Sequence, residues 1–251
     1  MKQKTGILCA MIEEVADILK SAHITRTIDI GCRTYHEGTI NQQDVVIVFS
    51  RWGKVGAATT TTMLIDHFHV SEIIFVGTAG ALSPKLNIGD VVIGKKFLQH
   101  DFNCTPILTP CELPFIKKTF LDADNSRIQK ATQAVETFLN PNNFNKLFTK
   151  QHREEFNLIN PKLLIGAIAS GDTFFSSKTQ KDTLLNKFPD LLCVEMEGAA
   201  VAQVCYEYET PLTVIRVISD AANDTATFDF NRFITETAAR YSQQIIHHLI
   251  K

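Results

Sequence analysis

The sequence predicts an α/β fold: a single domain over residues 1–251 in which a mixed central β-sheet is flanked by helices. Three observations carry this expectation. Short runs such as Ile73–Thr78 and Val91–Lys96 are largely apolar along their length, as strands covered on both faces are. Helical patterns alternate with these runs, the order that makes parallel crossovers. No internal repeat, low-complexity tract or Gly/Pro/Ser-rich linker divides the chain, and its length allows a core burying roughly 70 to 75 % of the unfolded surface.

From the start, Thr5–Met11 reads as a strand, and Glu13 and Glu14 open a helix through Val15, Ile18 and Leu19. Ile28–Gly38 and Asp44–Ser50 read as strands either side of the turn Asn41-Gln42-Gln43. A helix from Gly53, with Val55, Ala58, Thr62, Ile65 and Phe68 on its apolar face, leads to the strand Ile73–Thr78; Gly77-Thr78-Ala79-Gly80-Ala81 follows, and Pro84 and Gly89 mark a loop before the next strand. After Val91–Lys96, residues 100–114 have no clear period and read as a loop. Ile128, Ala131, Val135 and Phe138 mark a helix that stops before Pro141.

Residues 140–160, with six asparagines, read as a surface insertion or a peripheral helix around 145–155. Leu163–Ser170 resumes the strand pattern, and Thr179–Phe188 is helical. Leu192–Ala222 then supplies two acid-tipped strands with a small-residue helix between them, expected to lie parallel with their acids at one ligand-binding edge. A last helix, capped near Asp229, carries Phe230, Phe233, Ile234, Thr237, Ala238, Tyr241, Ile245 and Leu249 at i, i+3/i+4 spacing.

A formal charge of −2 offers no global basic field for nucleic acid. No run approaches a membrane span, and the N-terminal MKQKTGILCAM lacks a secretory core and cleavage site. Six cysteines without a CxxC pair read as reduced thiols of a cytoplasmic protein. The eight histidines show no ligand spacing, so no metal is expected. Neither GxGxxG nor GxxxxGK[ST] is present, so nucleotide phosphates lack their usual cradle.

Several side chains carry two readings each. Asp220, after Ser219 at a strand end, is either a turn cap or an acid able to protonate a leaving group. Glu197 is either a helix N-terminal charge or an acceptor for a vicinal diol, and Glu14 either a solvated first-turn glutamate or a site acid. Arg216 sits inside an apolar strand and demands a partner, in a structural ion pair or in a site. Phe174 and Phe175 on a strand-exit loop either pack into the core or offer a face to a planar base.

Six blocks occur in order: GILCAMIEEV from Gly6, GKVGAA from Gly53, GTAG from Gly77, SGDTF from Ser170, VEMEGAA from Val194 and RVISD from Arg216. Together they resemble the bacterial 5′-methylthioadenosine/S-adenosylhomocysteine nucleosidases, over nearly the whole chain. The resemblance implies a nucleoside phosphorylase-like fold, a homodimer, and hydrolysis of the adenine–ribose N-glycosidic bond without metal or cofactor. It implies that Asp220 protonates adenine N7 with Ser219 orienting its loop. Glu14 would position and deprotonate the attacking water, assisted by Arg216 and the Thr78 hydroxyl. Glu197 would bind the ribose hydroxyls over Met196, Phe174 would stack on adenine, Phe175 would offer backbone groups to its edge, and Met11 and Phe230 would line the 5′ pocket. The chain departs from the pattern at Thr78, where serine is common, at Arg51-Trp52, and in the loop 103–115.

Carboxylates near a cationic sugar and an acid at the leaving base suit this chemistry, as paired carboxyl groups suit glycosides. Two other readings stay open: a phosphate-dependent phosphorylase, for which Arg51 and Lys54 are the cations at hand, and a nucleoside-binding protein without turnover. Within the hydrolase reading, another 5′-modified adenosine or a futalosine-type nucleoside is an open substrate.

Overall fold

The computed structural model describes residues 3–251; Met1 and Lys2, part of the N-terminal stretch read above, lie outside the described residues. In chain order the strands are β1 (Lys4–Cys9), β2 (His23–Ile30), β3 (Arg33–Ile40), β4 (Gln43–Phe49), β5 (Glu72–Ala81), β6 (Val91–Gln99), β7 (Leu121–Asp122), β8 (Leu163–Ser170), β9 (Leu191–Glu195) and β10 (Leu212–Asp220). The helices are α1 (Ile12–Lys20), α2 (Lys54–Asp66), α3 (Asn125–Leu139), α4 (Pro141–Leu147), α5 (Lys150–Glu155), α6 (Lys178–Lys187), α7 (Gly198–Glu207), α8 (Ala226–Phe233) and α9 (Ala239–Leu249). A π-helical turn, Ile234–Ala238, joins the last two.

All ten strands belong to one sheet. β5, β10, β6, β8 and β9 close on themselves as a ring, and β1, β4, β3 and β2 extend from β5 as an open arm. β4, α2 and β5 form the expected crossover: β4 and β5 both run parallel to β1, which lies between them. β10 is also parallel to β5, whereas β9 runs antiparallel to it. The expectation that β9 and β10 lie side by side in parallel is therefore corrected. The ring puts β9 between β5 and β8, and α7 carries the chain away before β10 returns on the far flank of β5.

The run Ile28–Gly38, expected as one strand, is a hairpin. Ile30 pairs with Arg33, and Gly31 and Cys32 between them both have positive φ (57° and 59°), the backbone of a two-residue turn between twisted strands. The α2 face also differs from expectation. Ala57, Thr60, Thr61 and Leu64 are buried, while Val55 is 79 % exposed. Small residues win the inner face because α2 packs on α7, another small-residue helix.

The last helix starts at Ala226, not Asp229, which instead accepts a hydrogen bond from the Thr225 hydroxyl in the first turn. Residues 140–160 fold into α4 and α5, whose Phe144, Phe148 and Phe156 are buried against Phe138, Tyr241 and Phe233 of α3 and the C-terminal helices. All six cysteines are free, and four are buried. Among the described residues no helix is long and apolar enough to cross a membrane.

Candidate active site

The sheet creates the site through the way its strands end. β1 pairs with β5 as far as Cys9 and Val76, and β9 meets the same flank of β5 from the opposite direction, beginning at Gly80 and Val194. On that flank Gly77, Thr78 and Ala79 lie between two strand ends that point at each other. The β1 end leads into Met11 and Glu14, and the β9 end into Met196 and Glu197. β10, on the other flank, delivers Ser219 and Asp220 through a bulge between Ile218 and Asp220. Bulges re-aim side chains beside functional sites, and this one puts a hydroxyl and a carboxyl in consecutive positions at the wall.

Each acid is buried and individually held. Glu14 accepts from the Met11 backbone N–H (3.0 Å), a bond across the first turn of α1, and from the Ser242 hydroxyl of α9 (3.0 Å). Burial pushes its carboxyl up to about 7, against the pull of Ser242 and Arg216. Asp220 accepts from the Ser219 hydroxyl and the Ala222 N–H, both at 2.8 Å. Its carboxyl is also raised by burial, with the Asp229 charge adding to the shift. Glu197, at the start of α7, accepts from the Gly53 N–H (2.8 Å), and burial followed by the Glu195 charge raises it above the usual carboxylate range.

Arg216 has the partner that its burial demands. It is fully buried in mid-strand, donates to Glu195 Oε2 from Nη2 (2.7 Å) and Nε (3.2 Å), and stacks its guanidinium 4.0 Å from the Phe75 ring centroid. Glu195 gathers the neighbouring donors as well. Its carboxylate accepts from the Gly198 N–H, the Glu197 N–H and the Ser170 hydroxyl, and Ser170 in turn accepts from the Ala199 N–H (2.7 Å). A buried charge pair tolerates removal of neither partner, and this one fixes the β8 and β9 ends and the start of α7 together.

These elements surround a cavity of about 310 Å³. Of the residues singled out from sequence, Met11, Thr78, Phe174, Phe175, Met196, Glu197, Ser219, Asp220 and Phe230 line it. Glu14 and Arg216 do not; each lies one hydrogen bond behind a lining residue, Met11 and Glu195 respectively. Phe174 and Phe230 meet edge to face at 5.5 Å. Sequence reasoning passed over Ser242, noted Ser170 and Thr173 only within a block, gave Glu195 no role of its own and noted Trp52 only as a departure from the family pattern. The available signal for Ser242 was its place on the buried face of the last helix, between Tyr241 and Ile245.

The N-terminus of α2 is occupied by the chain's own acids. Gly53 N–H goes to Glu197, Lys54 N–H to Asp172 (2.7 Å) and the Lys54 ammonium to Asp101 (2.6 Å). Arg51 donates to the Cys32 carbonyl. Among the described residues no group of three or more His, Cys, Asp or Glu side chains is placed to hold a metal ion.

The pattern of the phosphorylase superfamily matches residues 4–251. A 5′-methylthioadenosine/S-adenosylhomocysteine nucleosidase of Staphylococcus haemolyticus is 35 % identical over 246 residues, covering 98 % of both chains. The chain belongs to this nucleosidase family, within the phosphorylase superfamily. Among solved structures, the nucleosidase of S. pneumoniae with the transition-state inhibitor MT-ImmA is 32 % identical, with a TM-score of 0.83 over 99 % of each chain. The futalosine hydrolase of Helicobacter pylori is similarly related, at 31 % identity and a TM-score of 0.83 over 99 % of this chain and 97 % of its own.

Proposed function

We propose the following division of labour in a hydrolase that cleaves the N-glycosidic bond of 5′-thio-substituted adenosines to adenine and the 5′-substituted ribose. Asp220 protonates N7 of the leaving adenine, and the bond's electron pair stays with the base. Glu14 takes a proton from the water that attacks the anomeric carbon. Arg216 supports Glu14 through its charge, and Thr78 offers a hydroxyl at the centre of the cavity wall. Glu197 accepts from the ribose hydroxyls above Met196; Phe174 stacks on the base and Phe175 supplies main-chain groups to its edge. Met11 and Phe230 enclose the 5′ substituent.

The observation that carries this reading is the placement of two buried carboxyl groups. Glu14 follows β1 and Asp220 ends β10, strands on opposite flanks of β5, and burial raises both acids above the ordinary range. An acid must hold its proton until it gives it and a base must be ionised to take one, and a value near the working pH serves either role. The occupied α2 N-terminus and the engaged Arg51 and Lys54 disfavour phosphate as the nucleophile, since their donors already serve protein acceptors. Adenine release in phosphate-free buffer tests the reading: turnover without phosphate is expected, and strict dependence on phosphate makes the enzyme a phosphorylase.

One domain carries this machinery, since every strand joins one sheet. The enzyme works as a cytoplasmic homodimer in methionine salvage, on 5′-methylthioadenosine, S-adenosylhomocysteine and 5′-deoxyadenosine. Phe115 and Ile107, 100 % and 86 % exposed on the loop before β7, support the dimer; Leu113, considered with Phe115 for the same contact, is buried in its own core. A second substrate reading rests on Trp52. Its side chain lines both the cavity and an adjoining groove formed with Gly53, Lys54, Val55, Asp172 and Met196, which leaves a path for a longer 5′ group of the futalosine type. Relative rates across nucleosides differing only at the 5′ position decide between the two, with 5′-thioethers expected to be fastest.

A further inference from the structure

The β5–β10 ladder runs from Ile73 and Leu212, across the bulge after Ile218, to Gly80 and Asp220; β10 ends at Asp220 and β5 at Ala81. One residue further along, the carbonyls of Ala81 and Ala221 accept from the same donor, the ammonium of Lys181, at 2.7 and 2.9 Å. Lys181 stands on α6, whose first turn is anchored by the Ser177 hydroxyl accepting from the Gln180 N–H. We propose that Lys181 is a positioning residue for the acid: its ammonium ties the two strand ends together immediately beyond Asp220 and holds that carboxyl at the cavity wall.

Ala221 lies between Asp220 and Ala222, whose N–H holds Asp220 Oδ1 at 2.8 Å. Fixing the Ala221 carbonyl therefore fixes both the backbone that carries the acid and the donor that orients it. The bulge at Ser219 makes such a tie necessary, because an irregular strand end loses the restraint of a regular ladder. A neutral side chain could bridge the carbonyls too, but a cation adds a second effect. Once Asp220 has given its proton away it is a buried anion, and Lys181 faces it from α6 while Asp229 of α8 opposes it. Lys178 and Asp182 on α6 surround Lys181 itself, and burial lowers the Lys181 ammonium.

This inference rests on Asp220 being the acid, so the experiment separates the two. Steady-state hydrolysis of 5′-methylthioadenosine is followed as a function of pH for wild type, Lys181→Met, Lys181→Arg and Asp220→Asn. Loss of the cation makes Asp220 harder to ionise, so the alkaline limb of the Lys181→Met profile should move up by about one unit. Its kcat should fall about tenfold with KM little changed, and Lys181→Arg should recover most of both effects. An alkaline limb that stays in place, or a rate that Arg does not recover, overturns the proposal. If the Met variant does not fold, Lys181→Gln, which can donate to the same carbonyls without charge, should still move the alkaline limb up while keeping more of kcat, and an unmoved limb in it overturns the proposal. Wild-type activity in Asp220→Asn would overturn the acid assignment instead.

Discussion

In the proposed mechanism Glu14 joins catalysis to stability in a single side chain. A carboxyl raised from 4.5 to about 7 keeps its proton in the folded protein at a pH where the unfolded chain has lost it. The folded state binds more protons across that window, so Glu14 costs nothing below about pH 4.5 and progressively more as the pH rises to about 7, reaching roughly 3 kcal/mol. Glu14→Gln should abolish turnover and raise the melting temperature at about pH 8, with no gain at about pH 4.5; thermal unfolding at the two pH values checks it. The base must also be ionised to work, so wild-type kcat/KM should fall below about pH 7. The sequence allowed Glu14, Glu197 and Asp220 to be named because each stands in a recognisable block, but not their partners. Ser242 lies 228 residues from Glu14, and no local pattern announces a contact across that distance.

At the scale of elements, the legible parts were those with a long or uninterrupted period. α3 buries each of Ile128, Ala131, Val135 and Phe138, as its spacing requires, and the β4–α2–β5 crossover has the expected parallel sense. Strand direction was less accessible. β9 contains five residues, and nothing in them distinguishes a parallel from an antiparallel neighbour; the ring closure decides it. The α4–α5 pair was obscured because its core contacts come from phenylalanines spaced across a helix break, among asparagines that suggest a surface. Ser170 shows how much an element boundary can carry. At the end of β8 its hydroxyl joins Glu195 of β9 to the Ala199 N–H of α7, all buried. Ser170→Ala should destabilise the fold by about 1–3 kcal/mol, the cost of unsatisfied buried groups, and lower kcat by loosening Glu195; urea unfolding and steady-state kinetics on the same variant measure both.

For the whole molecule of 28.1 kDa, Phe115 and Ile107 are the most exposed of its large apolar side chains among the described residues. Sedimentation should give twice that mass, and Phe115→Ser combined with Ile107→Ser should shift the equilibrium to the monomer while leaving far-UV circular dichroism unchanged. A wild-type monomer at assay concentration would remove the dimer from the picture. The meeting of β1 and β9 end to end beside Thr78 has a further, thermodynamic consequence. A nucleoside seated there touches segments that are almost two hundred residues apart in the chain, so it binds only when both are in place and acts as a clamp on the completed fold. Saturation at 100 times Kd adds about 2.7 kcal/mol to the folded state. A damaged variant too fragile to purify alone should therefore be recoverable by refolding with a tight analogue, which makes ligand rescue a means of separating folding defects from chemical ones.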